Sequence, residues 1–368
     1  MRKPNGDLAA PINYMGGKSK AASLVWSLLG TVDNFCEPFC GSAAMLLARP
    51  DPAGVETIND FDCFVSNMWR ALANDPDEVA YHASWPVIET DLHARQLWLV
   101  AHRDEIKIKM DDPDFYDAKV AGWWIWGMCN WIASGWCSGT GPWVWDGEKV
   151  VHKKDLGEAF GDTKGIPTHD QNGINRIRPN HAQQGINRII PNKSVRGIRR
   201  VKPLTSLTGI NRDEYIADWF NLLYNRLRDV RVTCGDWGRI VTPSYTTFHG
   251  LTGVFLDPPY EKGNMDYGAG GMGLGISTDV RRWCAENGDN DQLRIVLCGH
   301  AGEHDDLLKL GWKIYKWKAG AGYARTEEAV ANYTSETVWA SPHCQIKKQR
   351  QSLFDDEPET RTRRTLVK

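Results

Sequence analysis

The residues Leu256-Asp257-Pro258-Pro259-Tyr260 follow a short apolar run that begins at Gly253. An acid at the carboxyl end of a strand in an open α/β sheet stands where such folds place their sites. Two prolines stiffen the loop, and Pro259 pushes Pro258 into an extended conformation that fixes the direction of its carbonyl. A carboxylate and a fixed carbonyl side by side are two acceptors, suited to an NH2 group with two hydrogens. Tyr260 adds an aromatic face for a flat ring. The chemistry that fits is methylation of an exocyclic amine such as that of adenine. The lone pair of that amine is delocalised into its ring. Giving both hydrogens to Asp257 and Pro258 favours a pyramidal nitrogen, whose lone pair can attack a methyl group held in line. Proximity and preorganised electrostatics carry such a reaction, and no metal is needed. Taken alone, Asp-Pro-Pro is also an ordinary strand-ending turn.

Other residues could hold a nucleotide-like cofactor. Glu37-Pro38-Phe39-Cys40-Gly41-Ser42-Ala43 follows an apolar run and opens a helical pattern. Gly41 permits close backbone approach, and a helix N-terminus attracts a carboxylate. Glu37, Phe39 and Gly41 are the candidate contacts; a simple tight turn has the same pattern. Asn59-Asp60 comes about twenty residues later, where an acid suits a pair of ribose hydroxyls. Asp60 could instead serve the start of the next helix. In Cys234-Gly235-Asp236-Trp237, Asp236 is placed to accept from a cofactor adenine amine, or simply to close a surface turn. Tyr14-Met15-Gly16-Gly17-Lys18-Ser19 ends like a phosphate-binding loop, but that pattern requires glycine at the position of Ile12. Lys18 therefore suits a carboxylate or a DNA phosphate, and Tyr14 a sulfonium cation.

The elements that must position these residues alternate. Helices are expected over Ser19–Leu29, Gly41–Ala48 and Cys63–Ala73, with strands over Val32–Cys36 and Val55–Ile58. That order suggests parallel βαβ units. Helical patterns follow over Trp85–Lys109 and Ala118–Ala133; the tryptophans of the second suit a core. The α/β rhythm returns with a helix at Glu214–Leu227 and strands at Val230–Cys234 and Gly253–Leu256. It continues through a helix at Ser277–Glu286, a strand at Arg294–Cys298, a helix at Asp305–Leu310, and strands at Trp312–Trp317 and Glu336–Ala340.

Between the two α/β parts, Gly135 to about Arg212 is rich in Gly, Pro, Asn and Arg, too long for a bare loop in a compact domain. It contains a repeat. Gly173-Ile174-Asn175-Arg176-Ile177, Gly185-Ile186-Asn187-Arg188-Ile189, Gly197-Ile198-Arg199-Arg200-Val201 and Gly209-Ile210-Asn211-Arg212 recur every 12 residues. From Gly165 to Arg212 nine Lys or Arg stand against one acid, Asp170, a local net of +8 that leaves −10 for the rest of a chain totalling −2. Such a segment can neutralise phosphates, and Arg176, Arg188, Arg199 and Arg200 are its candidate DNA contacts. Some of these arginines could reach guanine edges. A solvated turn array or a duplicated linker would show the same repeat. Trp136 and Trp143, in a Gly-rich stretch, are further candidates to touch DNA.

Composition narrows the classes. The 368 residues hold 42% apolar and 24% charged side chains, enough for a real core. The longest apolar stretch, Val120–Ala133, is too short to span a bilayer. Met1-Arg2-Lys3-Pro4-Asn5-Gly6-Asp7 lacks the apolar centre of a secretory signal. Nine cysteines without a C-x-x-C pair fit a reduced, cytosolic chain with no zinc ribbon. That places it in a bacterial cytoplasm, or in a host's if phage-encoded. Residues 346–368 are highly charged and expected to be a disordered tail. Within them, Gln349-Arg350-Gln351-Ser352-Leu353-Phe354-Asp355 loosely resembles peptides that dock into bacterial sliding clamps.

Together, Tyr14–Lys18, Phe39–Ala43, Asn59-Asp60, Gly235-Asp236-Trp237 and Asp257–Tyr260 resemble the Dam-like adenine-specific DNA methyltransferases, in motif content and in order. Ala43 stands where that family often has a second glycine, and Tyr14 where it often has tryptophan. The resemblance covers roughly residues 10–75 and 213–342. It implies S-adenosylmethionine as methyl donor, the N6 amino group of adenine in double-stranded DNA as acceptor, and extrusion of the target base. It also implies Tyr14, Lys18, Asp60 and Asp257 at the cofactor and Asp257–Tyr260 as the catalytic loop. The expected fold is a Rossmann-like methyltransferase sheet with helices on both faces and an inserted target-recognition region. Residues 1–84 and 213–345 would form the core, with 85–212 inserted. Methylation of the cytosine N4 amine uses the same chemistry and stays open, as does an inactive DNA-binding homologue.

Overall fold

In the computed structural model, the described residues are 8–12, 14, 18–51, 54–131, 136–137, 143–145, 150–152, 212–260, 275–317 and 336–345. The chain begins α1 (Ala22–Leu29), β1 (Asn34–Glu37), α2 (Ala44–Leu47), β2 (Val55–Asp60) and α3 (Cys63–Leu72). Four helices follow: α4 (Pro76–Ala83), α5 (Glu89–Ala101), α6 (Arg103–Lys109) and α7 (Ala118–Asn130). A short antiparallel hairpin pairs β3 (Trp143–Trp145) with β4 (Val150–His152). The remainder is α8 (Arg212–Leu227), β5 (Arg231–Cys234), β6 (Thr252–Leu256), α9 (Ile276–Asn287), β7 (Leu293–His300), β8 (Lys313–Lys316) and β9 (Glu336–Ala340).

Seven strands form one sheet in the order β5-β2-β1-β6-β7-β9-β8. From β5 to β7 every pairing is parallel, while β9 runs antiparallel to both β7 and β8. The chain steps outward from β1 to β2 and β5, then returns to β6 on the other side of β1. The carboxyl ends of β1 and β6 therefore flank a topological switch point, where open α/β sheets bind their ligands. Both strands are buried along their whole length, as central parallel strands must be.

Alternate strand residues enter two apolar clusters. Phe35, Ile58, Phe255, Val296 and Val338 face one side, packed with α1, α3, α7 and α8. Cys36, Val254, Leu256, Ile295, Leu297 and Trp339 face the other, packed with Val280 and Cys284 of α9. The expected sheet with helices on both faces is thus present.

Helix starts follow local chemistry. Asp62, Asp75 and Asp117 accept backbone N–H groups at the starts of α3, α4 and α7, and Pro76 opens α4. The helical pattern over Trp85–Lys109 resolves into two helices broken at His102, whose ring stacks on Trp98. The expected helix at Gly41–Ala48 shrinks to the single turn α2, because Gly41 and Ala43 both adopt positive φ. The expected helix at Asp305–Leu310 is a 3-10 turn.

The tryptophan-rich α7 is core: Trp124 and Trp126 are buried, and its chain packs against α3 and α4. The segment expected to begin the insertion at residue 85 therefore shares the main apolar cluster through α5, α6 and α7. Trp136 requires a correction. It was expected to face DNA, yet it is 7% exposed, with its ring against Trp131 and over Gly127. Any side chain at residue 127 would occupy the place of that ring. The repeat arginines Arg176, Arg188, Arg199 and Arg200, the side chain of Trp143 and the clamp-like tail lie outside the described residues.

Among the described residues no helix is long and apolar enough to cross a membrane. Nor does any group of His, Cys, Asp and Glu among them stand ready to hold a metal ion.

Candidate active site

Asp257 leaves β6 at the switch point and meets a buried lysine. Lys18, 4% exposed, lies just before α1, and its Nζ stands 3.1 Å from Oδ1 of Asp257. The Tyr260 hydroxyl is 3.0 Å from the same oxygen. A second carboxylate completes the group. Glu336, the first residue of β9, has its Oε2 3.6 Å from the Lys18 ammonium and 3.1 Å from the Tyr260 hydroxyl. Burial by itself pulls the Lys18 ammonium down, but Asp257 beside it, with Glu336, holds it above the usual lysine value. Burial raises Glu336, and Lys18 opposes that rise.

Tyr260 is 7% exposed. Lys18 Nζ lies 5.1 Å from its ring centroid, and the His300 ring meets it edge-on at 4.6 Å. Burial pushes the Tyr260 hydroxyl well above its ordinary value, and the nearby Asp257 adds to this, so the phenol stays protonated.

Across the switch point, the turn after β1 is built around Asp60. Its Oδ2 accepts the Gly41 N–H at 2.9 Å and its Oδ1 accepts the Asp62 N–H at 2.9 Å. Asn59 donates to the carbonyls of Pro38 and Gly235, tying this turn to the end of β5. Burial pushes the Asp60 carboxyl up to about 7. Tyr14 lies against Gly41, and Trp69 donates to the Gly41 carbonyl.

Glu37 plays a different part from the cofactor contact expected of it. It is 1% exposed, and its carboxylate accepts the Leu46 N–H at 3.0 Å and the Met45 N–H at 3.4 Å. The α2 turn begins at Ala43 with φ +47° and no side-chain cap of its own. Glu37 supplies that cap from the neighbouring strand. Burial raises its carboxyl to about 8.

Phe39 stacks on Trp237, with ring centroids 6.0 Å apart at 28°. Asp236, immediately before Trp237, is exposed and accepts the Gly238 N–H at 2.8 Å. An aromatic pair and an exposed carboxylate therefore stand at one rim of the switch point. Of the residues singled out by sequence, Lys18, Asp257 and Tyr260 form one cluster, while Tyr14, Gly41 and Asp60 form the turn beside it. Phe39 and Asp236 mark the rim. Glu336 was missed. Its signal was an acid opening an otherwise apolar strand.

This sheet, with an acid at the switch point and a glycine turn beside it, is consistent with a Rossmann-like methyltransferase. Residues 14–119 match the family model of the D12 class N6 adenine-specific DNA methyltransferases. The match covers less than half of the chain and includes Tyr14, Lys18, the Gly41 turn and Asp60, whereas Asp257 and Glu336 lie beyond it. It indicates an adenine-specific DNA methyltransferase, consistent with the Dam-like family. A comparison with curated proteins finds no match.

Proposed function

We propose that the chain transfers a methyl group from S-adenosylmethionine to the N6 amine of an adenine turned out of duplex DNA. One observation carries this reading: Asp257 stands at the carboxyl end of β6, its Oδ1 occupied by Lys18 and Tyr260, beside the turn of Gly41 and Asp60.

The residues present fit the donor. Asp60 is a half-buried carboxyl raised to about 7, a group that gains from hydroxyl donors. The bare backbone of Gly41 lets the Tyr14 ring lie directly against the turn, where a Cβ would clash with it. Tyr14 offers a ring to a sulfonium, Phe39 and Trp237 an aromatic surface, and Asp236 an acceptor for a ring amine. When bound, S-adenosylmethionine supplies an electrophilic methyl group.

The remaining work falls to the chain. Lys18 and Tyr260 hold Oδ1 of Asp257, which leaves its other oxygen to accept one amine hydrogen. The Pro258 carbonyl accepts the second. The amine is thereby drawn toward a pyramidal geometry with its lone pair available, and the proton it sheds on methylation passes toward the Asp257 carboxylate. Turning a base out of the stack costs a few kcal/mol. A base that stacks on Tyr260 must displace a neighbour now covering the ring, or draw the ring outward and break its hydroxyl contacts. The basic repeats carrying Arg176, Arg188, Arg199 and Arg200 would supply salt-dependent attraction to the phosphates.

The test is to sequence DNA from cells expressing the chain, read for modified bases, beside an Asp257→Ala control. Methylated adenine at a recurring short site, absent from the control, supports the reading. Methylated cytosine would overturn the base, and unmodified DNA would overturn the activity.

A further inference from the structure

Among the described strands of the main sheet only β9 runs antiparallel, and it brings to the site a residue that no motif marks. In a parallel strand the last residue reaches the carboxyl edge of the sheet. In β9 the first does, and Glu336 pairs with His300 at the end of β7. Its carboxylate then meets Lys18 and the Tyr260 hydroxyl, the two groups that also hold Asp257.

Proton counting makes this arrangement informative. One phenol hydrogen and one ammonium are shared between two carboxylates, all of them within 3.6 Å of a common partner. Alone with Asp257, Lys18 would make a tight buried ion pair, and its charge would weaken the acceptor that the amine needs. A second carboxylate divides the pull of that charge.

We propose that Glu336 is a positioning residue for methyl transfer: it shares Lys18 and the Tyr260 hydroxyl with Asp257 and so keeps Asp257 a strong acceptor for the substrate amine. This rests on the function proposed above. The groups facing Glu336 are Lys18 before α1, Asp257 and Tyr260 after β6, and Cys298 and His300 on β7. Burial raises its carboxyl, so it takes up a proton at a higher pH than an ordinary glutamate. Once protonated, it no longer offsets Lys18. Activity then declines with falling pH above the ordinary glutamate range.

The experiment is single-turnover methylation of adenine-containing duplex DNA against pH, for wild type, Glu336→Gln and Glu336→Asp. Glu336→Gln is expected to lower the rate about 10- to 100-fold, the range for groups that orient a reacting residue. Cofactor affinity and melting temperature should stay near wild type, and the acid limb assigned to Glu336 should vanish. Glu336→Asp should restore part of the rate and the limb together. An active wild type with an unchanged rate and limb in Glu336→Gln would overturn the proposal. So would a loss of rate matched by a loss of cofactor affinity and melting temperature in both variants. An inactive wild type would instead overturn the proposed function on which it rests.

Discussion

Tyr14 lies so close over Gly41 that a Cβ on residue 41 would stand 2.7 Å from its Cδ1 and Cε1 atoms. Gly41 also has φ +44°, a conformation that costs an L side chain roughly 1–2 kcal/mol. Gly41→Ala should therefore weaken S-adenosylmethionine binding by about tenfold or more, since each 1.4 kcal/mol is a tenfold change. Calorimetric titration of Gly41→Ala, Tyr14→Ala and the double variant checks this. A coupling between the two sites is expected, because both changes act on one contact.

Tyr260→Phe keeps the ring and removes the hydroxyl contacts to Asp257 and Glu336. Tyr260→Ala removes both. If the ring carries base stacking, Tyr260→Phe should retain more methylation than Tyr260→Ala, with cofactor affinity near wild type in each. Single-turnover rates and cofactor titrations separate the cases. Equal loss of methylation and cofactor affinity in Tyr260→Ala would contradict a stacking role.

Cofactor affinity should rise with pH. The Asp60 carboxyl titrates at about 7, and its ionised form is the better acceptor for ribose hydroxyls. Affinity is then expected to increase between roughly pH 6 and 8 and to lose that dependence in Asp60→Asn. Dissociation constants measured across that window provide the check.

Stability should move the other way. Burial raises Glu37 from 4.5 to about 8 and Asp60 from 3.8 to about 7. The folded chain thus binds protons that the unfolded chain has released, and the unfolding free energy falls as pH rises between those values. The favourable contribution is complete below the ordinary carboxylate range and is lost by about pH 8. Melting temperatures of wild type and Glu37→Gln should therefore show a steeper fall in the wild type over that window.

Glu56 is buried beneath two arginines. Arg226 donates to Glu56 at 2.6 and 2.7 Å, and Arg49 donates to it at 3.0 Å. Removing Arg226 leaves Arg49 as the partner of Glu56 but takes away two charge-assisted hydrogen bonds. Arg226→Ala is expected to cost about 2–3 kcal/mol in denaturant unfolding.

The parts of the site legible in the sequence share one property. Gly41, Asp236 and Asp257 each follow a parallel strand and Asp60 ends one, so reading to the end of an apolar run and past it finds them. Glu336 escaped because its strand runs the other way, and strand direction is set by pairing with β7 and β8, not by local pattern. Trp136 misled for a related reason. Its Gly-rich flanks read as an exposed loop, but the space its ring fills is made by Gly127 on another element. The helix α4 did carry a local signal in Asp75-Pro76, an N-cap followed by a helix-opening proline. Where two helices meet at His102, the apolar pattern ran on through the break, since packing continues across it.

The position of β9 has a consequence for how the chain assembles. The strand made last in the described sheet inserts between two made earlier, β7 and β8. Until Glu336–Ala340 leaves the ribosome, β7 presents an unpaired edge and β8 has no neighbour in the sheet. Open edges of that kind invite pairing with other chains. Lys18, near the other end of the sequence, waits through nearly the whole of synthesis for Asp257 and Glu336. The cluster of Lys18, Asp257 and Glu336 is thus among the last parts of the molecule to form, and a chain cut short before β9 would carry the Gly41 turn and Asp257 without their final strand.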